Sequence, residues 1–305
     1  MATVALLVNP VRADAARLAD AAVEWLEHRS HTARLLRLAP ADRAEGHVPA
    51  GDLRGADLSG ADVAVSLGGD GTFLRLVPLA YHAKVPVLGV NFGRLGYLLE
   101  VEPERLFQTL EDTLAGRAAV EDRLVLAVTV SGGLAPAHGD DRSLEGDGVV
   151  CARGERWWVA LNEMVVEKTV PGHMVALATA VDGEEFLSYK ADGLVIASPT
   201  GSTAYNLSAG GPVLAPNIPA MVLTPVAPHL AIDRSLVLRA DQEAAVRVLP
   251  PRPAVLVVDG REAGRLSPGA DVVCRVAPGW LRVVCGGERR FAGRLRRALT
   301  RGVVQ

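Results

Sequence analysis

Apolar positions along this chain follow two regimes. Up to about residue 120 they come as short unbroken runs or at helical spacing. Val4 to Val8 is one such run, closed by Asn9-Pro10. Ala15, Leu18, Ala19, Ala22, Val23 and Leu26 then recur three and four apart, with Arg17, Asp20, Glu24 and Glu27 between them, which predicts an amphipathic helix. Ala33 to Leu38 reads as a second, weaker strand, and residues 39–60 as a Pro-, Gly- and Asp-rich connection. Asp62 to Leu67 predicts a third strand, Phe73 to about His82 a helix, and Val85 to Val90 another buried strand. NFGRLGYL, Asn91 to Leu98, is a glycine-punctuated loop, and Pro103 to Leu114 is helical with Gly116 as its stop. Strands alternating with helices predict a parallel sheet covered on both faces. Ligands of such sheets sit outside the carboxyl ends of the strands.

From Leu124 the pattern alternates, with Leu124, Leu126, Val128 and Val130 on one face. Residues 131–156 have little periodicity and read as an exposed, mobile excursion between strands. Trp157 to Val166 resumes strand character, and Met174–Val181 with Glu185–Lys190 reads as a hairpin turning on Asp182-Gly183. Short strands follow at 194–197, 221–224, 236–238, 244–248, 254–258, 272–276 and 281–285, with a second hairpin turn at Asp259-Gly260. The basic tail places Phe291, Leu295 and Leu299 four apart, as in a terminal helix that docks an apolar stripe while its arginines stay solvated. The fold class expected is therefore an α/β N-terminal domain with a parallel sheet, residues 1–120 joined by the tail 289–305, plus a mostly antiparallel β C-terminal domain, residues 121–288.

Composition narrows the function classes. The 305 residues carry a net charge of −3, so no global field points to nucleic acid or anionic membrane. No apolar run reaches the ~18 residues a spanning helix needs. MATVALLVNP lacks a basic start and is not a signal peptide, so a cytoplasmic location is expected. The three cysteines, Cys151, Cys274 and Cys285, show no CxxC spacing, and the seven histidines form no HExxH, which argues against a disulfide framework or a zinc site.

Two stretches carry chemistry. SLGGDGTFLR, Ser66 to Arg75, is a strand end, a bare turn of Gly68 and Gly69, then Asp70, Gly71 and Thr72 opening a helix. Glycines let a ligand approach the main chain, and the first helical turn offers free N–H groups that suit phosphate. A carboxylate repels phosphate, so Asp70 makes sense if it acts on a neighbouring hydroxyl or magnesium ion, or if it only caps the helix. ADGLVIASPTGSTAYNLSAGGPVLAPN, Ala191 to Asn217, packs hydroxyls and glycines that suit a sugar or phosphate, and Tyr205 offers a flat face for a base. Tyr205 as a core aromatic and the serines as caps are the structural alternatives. Neither a Walker motif nor GxGxxG occurs.

GGDGTFLR, PVLGVNFGRLGYL, LNEMVV and the Ala191–Asn217 stretch, in this order, resemble the NAD kinase family, and the likeness runs from VALLVNP to FAGRLRRAL. The resemblance implies a two-domain NAD kinase-like fold whose second domain binds NAD. It implies transfer of the ATP γ-phosphoryl to the adenosine-ribose 2′-hydroxyl of NAD, with Mg²⁺ accompanying ATP. Asp70 matches the catalytic aspartate, Gly68, Gly69 and Thr72 the phosphate loop, and Gly71 and Arg75 positions near the nucleotide. Asn162 and Glu163 match the pair that holds the adenosine. His173 and Lys190 match positions lining the dinucleotide, Lys190 often being arginine in relatives. Asp192 matches an acidic contact, and Thr203, Ala204, Tyr205, Asn206, Leu207 and Ser208 match the segment wrapping NAD. Arg261 stands where relatives often have glutamine, and Ser198 replaces a common threonine. A homodimer or homotetramer, and no nucleic-acid or membrane partner, complete what the likeness implies. A lipid kinase sharing GGDGT and a non-catalytic NAD sensor are the rival readings; neither explains LNE, TAYNLSAGG and Asp70 together.

Overall fold

The computed structural model describes residues 1–9, 11–37, 53, 56–92, 98–99, 101–135, 149–152, 155–229, 233–286, 291–293 and 295–296. The chain divides into two compact units, Met1–Arg123 with Leu281–Gln305, and Leu124–Trp280.

The first unit runs β1 (Thr3–Val8), α1 (Ala13–His28), β2 (Thr32–Arg37), β3 (Val63–Gly68), α2 (Asp70–Ala83), β4 (Val87–Asn91), α3 (Leu106–Leu114) and β5 (Val120–Arg123). Its sheet has the order β2-β1-β3-β4, then Leu281–Val284, then β5, and only β5 runs antiparallel. β3 and β4 are buried at every position, as unbroken apolar runs between two helical layers should be. Ala15, Ala19, Ala22 and Leu26 of α1, with Leu106 and Leu110 of α3, pack on Val4, Leu6, Val65, Leu67, Leu88 and Val90. Phe73 of α2 lies on the other face, where a Cβ on Gly89 would come within 2.8 Å of its ring. The expected turn of several residues before α2 is shorter in the structure. Gly69 is the N-cap and the helix starts at Asp70, three residues before Phe73. An acidic residue in the first turn favours that start, because it faces the positive end of the helix dipole.

The second unit is two seven-stranded antiparallel sheets. Its strands are β6 (Leu126–Ser131), β7 (Leu134–Ala135), β8 (Val149–Ala152), β9 (Glu155–Ala160), β10 (Glu163–Lys168), β11 (Val175–Val181), β12 (Glu184–Ala191), β13 (Gly193–Ala197), β14 (Ala220–Val226), β15 (Leu236–Arg239), β16 (Ala244–Leu249), β17 (Ala254–Val258), β18 (Arg261–Leu266) and β19 (Asp271–Val276). A one-turn helix, α4 (Tyr205–Ser208), follows β13. One sheet has the order β15-β14-β13-β10-β17-β18-β7 and the other β12-β11-β16-β19-β6-β9-β8. Both contribute to one core, with Met164, Ile196 and Leu223 from the first and Val128, Leu177 and Val246 from the second.

Both Asp-Gly hairpins occur. Asp182 and Gly183 have φ of 51° and 82°, Asp259 and Gly260 of 47° and 73°, the double left-handed geometry of a two-residue type I′ turn. Three expectations are corrected. Trp157–Val166 is two strands, because the chain leaves one sheet after Ala160 and enters the other at Glu163. The stretch 131–156 is not a plain excursion: β7 pairs with β18 and β8 with β9, each as a sheet edge. Edge pairing uses main-chain groups and needs no side-chain period. The last strand, β20 (Leu281–Val284), belongs to the first unit, pairing with β4 and β5. Most of the connection 39–60, residues 93–97 of the NFGRLG loop, residues 136–148 and most of the basic tail, including Leu299, lie outside the described residues.

Candidate active site

In the first unit the β3–α2 turn presents Asp70. Gly68 ends β3 against Thr72, whose side chain occupies the space a Cβ on Gly68 would need. Thr72 is buried, and Asn9 at the end of β1 reaches its hydroxyl through Nδ2 at 3.5 Å. The N–H groups of Thr72 and Phe73 both point to the Gly69 carbonyl, at 3.0 and 3.2 Å, closing the first turn. Gly69 holds the N-cap position and Asp70 the first helical one, so Asp70 is not the cap residue. Among the described residues its carboxylate has no hydrogen-bond or ion-pair partner, and burial pushes its carboxyl above the usual aspartate range. A half-buried carboxylate spared from structural bonds is available to a ligand. Gly71 faces open space, and Arg75 is partly buried one turn along.

In the second unit the site is built where the chain changes sheets. The Asp259 carboxylate accepts the N–H groups of Leu161 at 2.8 Å, Asn162 at 2.8 Å and Glu163 at 3.1 Å. Ser198 binds the same segment from β13's end: its N–H donates to the Asn162 carbonyl at 2.8 Å and its hydroxyl to the Leu161 carbonyl. Gly201 lies so close that a Cβ there would overlap the Asn162 carbonyl group. Asn162 stays partly exposed, while Glu163 is buried with its Oε2 unpartnered. The Tyr205 main-chain N–H donates to the Glu163 carboxyl. Tyr205 itself is exposed on α4, which removes the core-aromatic alternative.

Burial, and secondarily the neighbouring Asp259, push the Glu163 carboxyl up to about 8. Burial also pushes Asp259 up to about 6, against the three N–H bonds that favour its charge. A carboxyl whose folded pKa lies above its unfolded value of 4.5 binds its proton more tightly in the native state. Its contribution to stability therefore falls as pH rises from 4.5 to about 8, and changes no further beyond that. Glu163→Gln cannot ionise, so denaturant unfolding is expected to show the variant gaining on the parent across that window. Parallel curves for the two proteins would mean that Glu163 is already charged at neutral pH.

The segment 203–208 is not uniformly turned outward. The Asn206 side chain is fully buried: Nδ2 donates to the Ser202 and Pro212 carbonyls, each at 3.0 Å, and Oδ1 accepts from Thr224 at 2.7 Å. A Cβ on Gly211 would overlap that carboxamide. The Asn206 side chain is thus bonded internally and shapes the loop from within. Thr203 donates to the Thr200 carbonyl at 3.1 Å, and Tyr205 and Ser208 are exposed, with Ala204 and Leu207 in between. The Thr200 hydroxyl is buried without a partner. Asp192 sits where the chain crosses from β12 to β13 and pairs with Lys168 at 2.7 Å. Arg261 opens β18, partly buried. His173 and Lys190 are exposed, and neither side chain bonds to the residues above. Sequence reasoning missed Asn9 and Asp259 as site builders. The signal for Asp259 was its acidic side chain in a hairpin turn, which reads only as turn chemistry.

Two family models match this chain, the ATP-NAD kinase N-terminal domain over residues 4–118 and the ATP-NAD kinase C-terminal domain over residues 161–285. The NAD kinase of Heliobacterium modesticaldum is 36% identical over 303 residues, covering 99% of this chain and 100% of that one. NAD kinase 1 of Streptomyces avermitilis is 41% identical over 251 residues, 77% of this chain and 70% of the relative. Among solved structures, yeast NADH kinase complexed with NADH superposes with a TM-score of 0.78 at 20% identity, over 98% of this chain and 88% of that one. An NAD kinase from Archaeoglobus fulgidus in complex with ATP gives 0.66 at 23% identity, over 98% and 97%. At those identities the two structures bear on the fold. With both domain models matched in order and a relative aligned end to end, the chain belongs to the NAD kinase family.

Proposed function

We infer that this protein is an NAD kinase, transferring the γ-phosphoryl of ATP to the 2′-hydroxyl of the adenosine ribose of NAD and yielding NADP and ADP. The observation that carries the reading is family membership over the whole chain, joined to a half-buried Asp70 with no hydrogen-bond or ion-pair partner among the described residues. Phosphoryl transfer needs positioning and charge neutralisation more than covalent help from the protein. Asp70 orients the 2′-hydroxyl and takes its proton as the new P–O bond forms and the bond to the β-phosphate oxygen breaks. An aspartate of ordinary pKa, ~3.9, is a weak base. Burial raises that basicity toward what a base needs at neutral pH. The open main chain of Gly68 to Thr72 and the partly buried Arg75 suit the phosphates. Asn162 and Glu163 suit the adenosine end, with Tyr205, Thr203 and Ser208 around it.

Among the described residues no cluster of three or more His, Cys, Asp or Glu side chains is placed to hold a metal. A divalent ion, Mg²⁺, would come in on the ATP phosphates, with Asp70 as the turn's carboxylate. Such an ion neutralises charge on the transferring group. No helix among the described residues is long and apolar enough to cross a membrane. A homodimer or homotetramer is carried over from the family resemblance alone, and a cytoplasmic location from the sequence reading of the N-terminus and the cysteines.

The test mixes protein, NAD, ATP and Mg²⁺ and measures NADP with an NADP-specific dehydrogenase. NADP formation at tens of turnovers per second or less is expected. No NADP, or phosphorylation of diacylglycerol in a parallel tube with labelled ATP, overturns the reading.

A further inference from the structure

All six main-chain polar groups of Leu161–Glu163 are bonded within the second unit. The three N–H groups go to the Asp259 carboxylate, two carbonyls to Ser198 and the Glu163 carbonyl to the Asp259 N–H at 2.9 Å. Only the side chains of Asn162 and Glu163 remain to meet a ligand. The strand break that aims them is therefore fixed from outside, chiefly by one carboxylate nearly a hundred residues away in sequence. We propose that Asp259 is a positioning residue for NAD, setting the Leu161–Glu163 main chain so that Asn162 and Glu163 project toward the adenosine end. This rests on the reading that these two side chains take that end of the dinucleotide.

Three features set Asp259 apart from a mere turn residue. A hairpin turn at φ 47° asks only for Asn, Asp or Gly and makes no use of a carboxylate. The side chain points across to another strand junction and spends both oxygens there. It also faces Glu163, whose other titratable neighbour is Tyr205 of α4. Its charge is thus part of Glu163's electrostatic environment as well as its scaffold.

Asp259→Asn separates these roles from folding, because Asn-Gly is a favoured pair for this turn. The amide NH₂ would face an N–H that now donates to oxygen, so at least one bond is lost. The expected result is an NAD KM raised about tenfold, the worth of one such bond, with the ATP KM unchanged and kcat at saturating NAD largely kept. Removing the neighbouring charge should also move the Glu163 limb of the pH profile of NAD affinity to lower pH. A scaffold acting only on stability would move the melting temperature and neither of these. Asp259→Glu, which keeps the charge but displaces the carboxylate, serves as a second variant read by the NAD KM, should the first be insoluble. Asn162→Ala runs alongside. If it raises the NAD KM while both Asp259 variants leave KM and the pH limb where they were, the inference is overturned alone. If Asn162→Ala leaves the NAD KM unchanged, the underlying site reading fails and the inference falls with it.

Discussion

Asp70→Asn is expected to lower kcat by about 10²–10⁴-fold, the range over which a positioned base contributes, while leaving the NAD KM and the fold intact. The carboxamide has the same shape, and Asp70 holds no partner among the described residues, so nothing structural is broken. The sign on stability is unusual. Burial raises the Asp70 pKa, so at neutral pH the charged carboxylate costs the native state something. Its position at the helix N-terminus offsets part of that cost. The variant should therefore melt at the same temperature as the parent or higher, the pattern of a residue kept for chemistry at the expense of stability. Steady-state kinetics with calorimetry check both halves. A variant that turns over at near the parental rate would remove Asp70 from the reaction, and one that unfolds would make it structural.

The second large effect is expected at Gly201. Its φ is ordinary, so the demand for glycine there is one of space and not of backbone conformation. A methyl group would enter the carbonyl of Asn162, a main-chain group held by Ser198 and unable to swing aside. Gly201→Ala should cost about 3 kcal/mol, the upper part of the range for overpacking, and lower the melting temperature by about 6–12 °C. It should also raise the NAD KM, since the displaced segment carries Asn162 and Glu163. Gly71→Ala is the contrast. That position opens into space within the first turn of α2, and alanine there should be neutral or stabilising by up to about 1 kcal/mol. Equal melting temperatures for Gly201→Ala and the parent would show that the β13 connection can shift outward freely.

What could be read from the chain beforehand follows the physics of each signal. Unbroken apolar runs and glycine turns are local, and β1, β3, β4 and the two Asp-Gly hairpins came out where the pattern placed them. Asp70 was visible because a carboxylate in a phosphate-like turn is anomalous in itself. Pairing partners are not local. Leu281–Val284 has the pattern of any short strand, and nothing in it says which sheet it will join. β7 and β8 escaped because edge strands can form on main-chain bonds alone. The break at Leu161-Asn162 escaped because the apolar run continues through it while the chain changes sheets. Asn206 was legible only as one residue of the TAYNLS match, since the bonds that its amide makes in the loop beneath are set by the folded chain. Asp259 was legible only as a turn, since its three bonds reach residues 96 to 98 positions away.

The placement of β20 between β4 and β5 has a consequence for how this protein is made. A ribosome releases Met1–Arg123 long before Leu281 leaves the exit tunnel. During that interval β4 has an open edge and β5 has nothing to pair with, because its neighbour in the finished sheet has not yet been synthesised. The middle of the chain can complete both its sheets first, so the segment born earliest is the one finished last. Messages cut short before Leu281 would yield a nascent protein with two sticky strands, a natural target for chaperones and proteases.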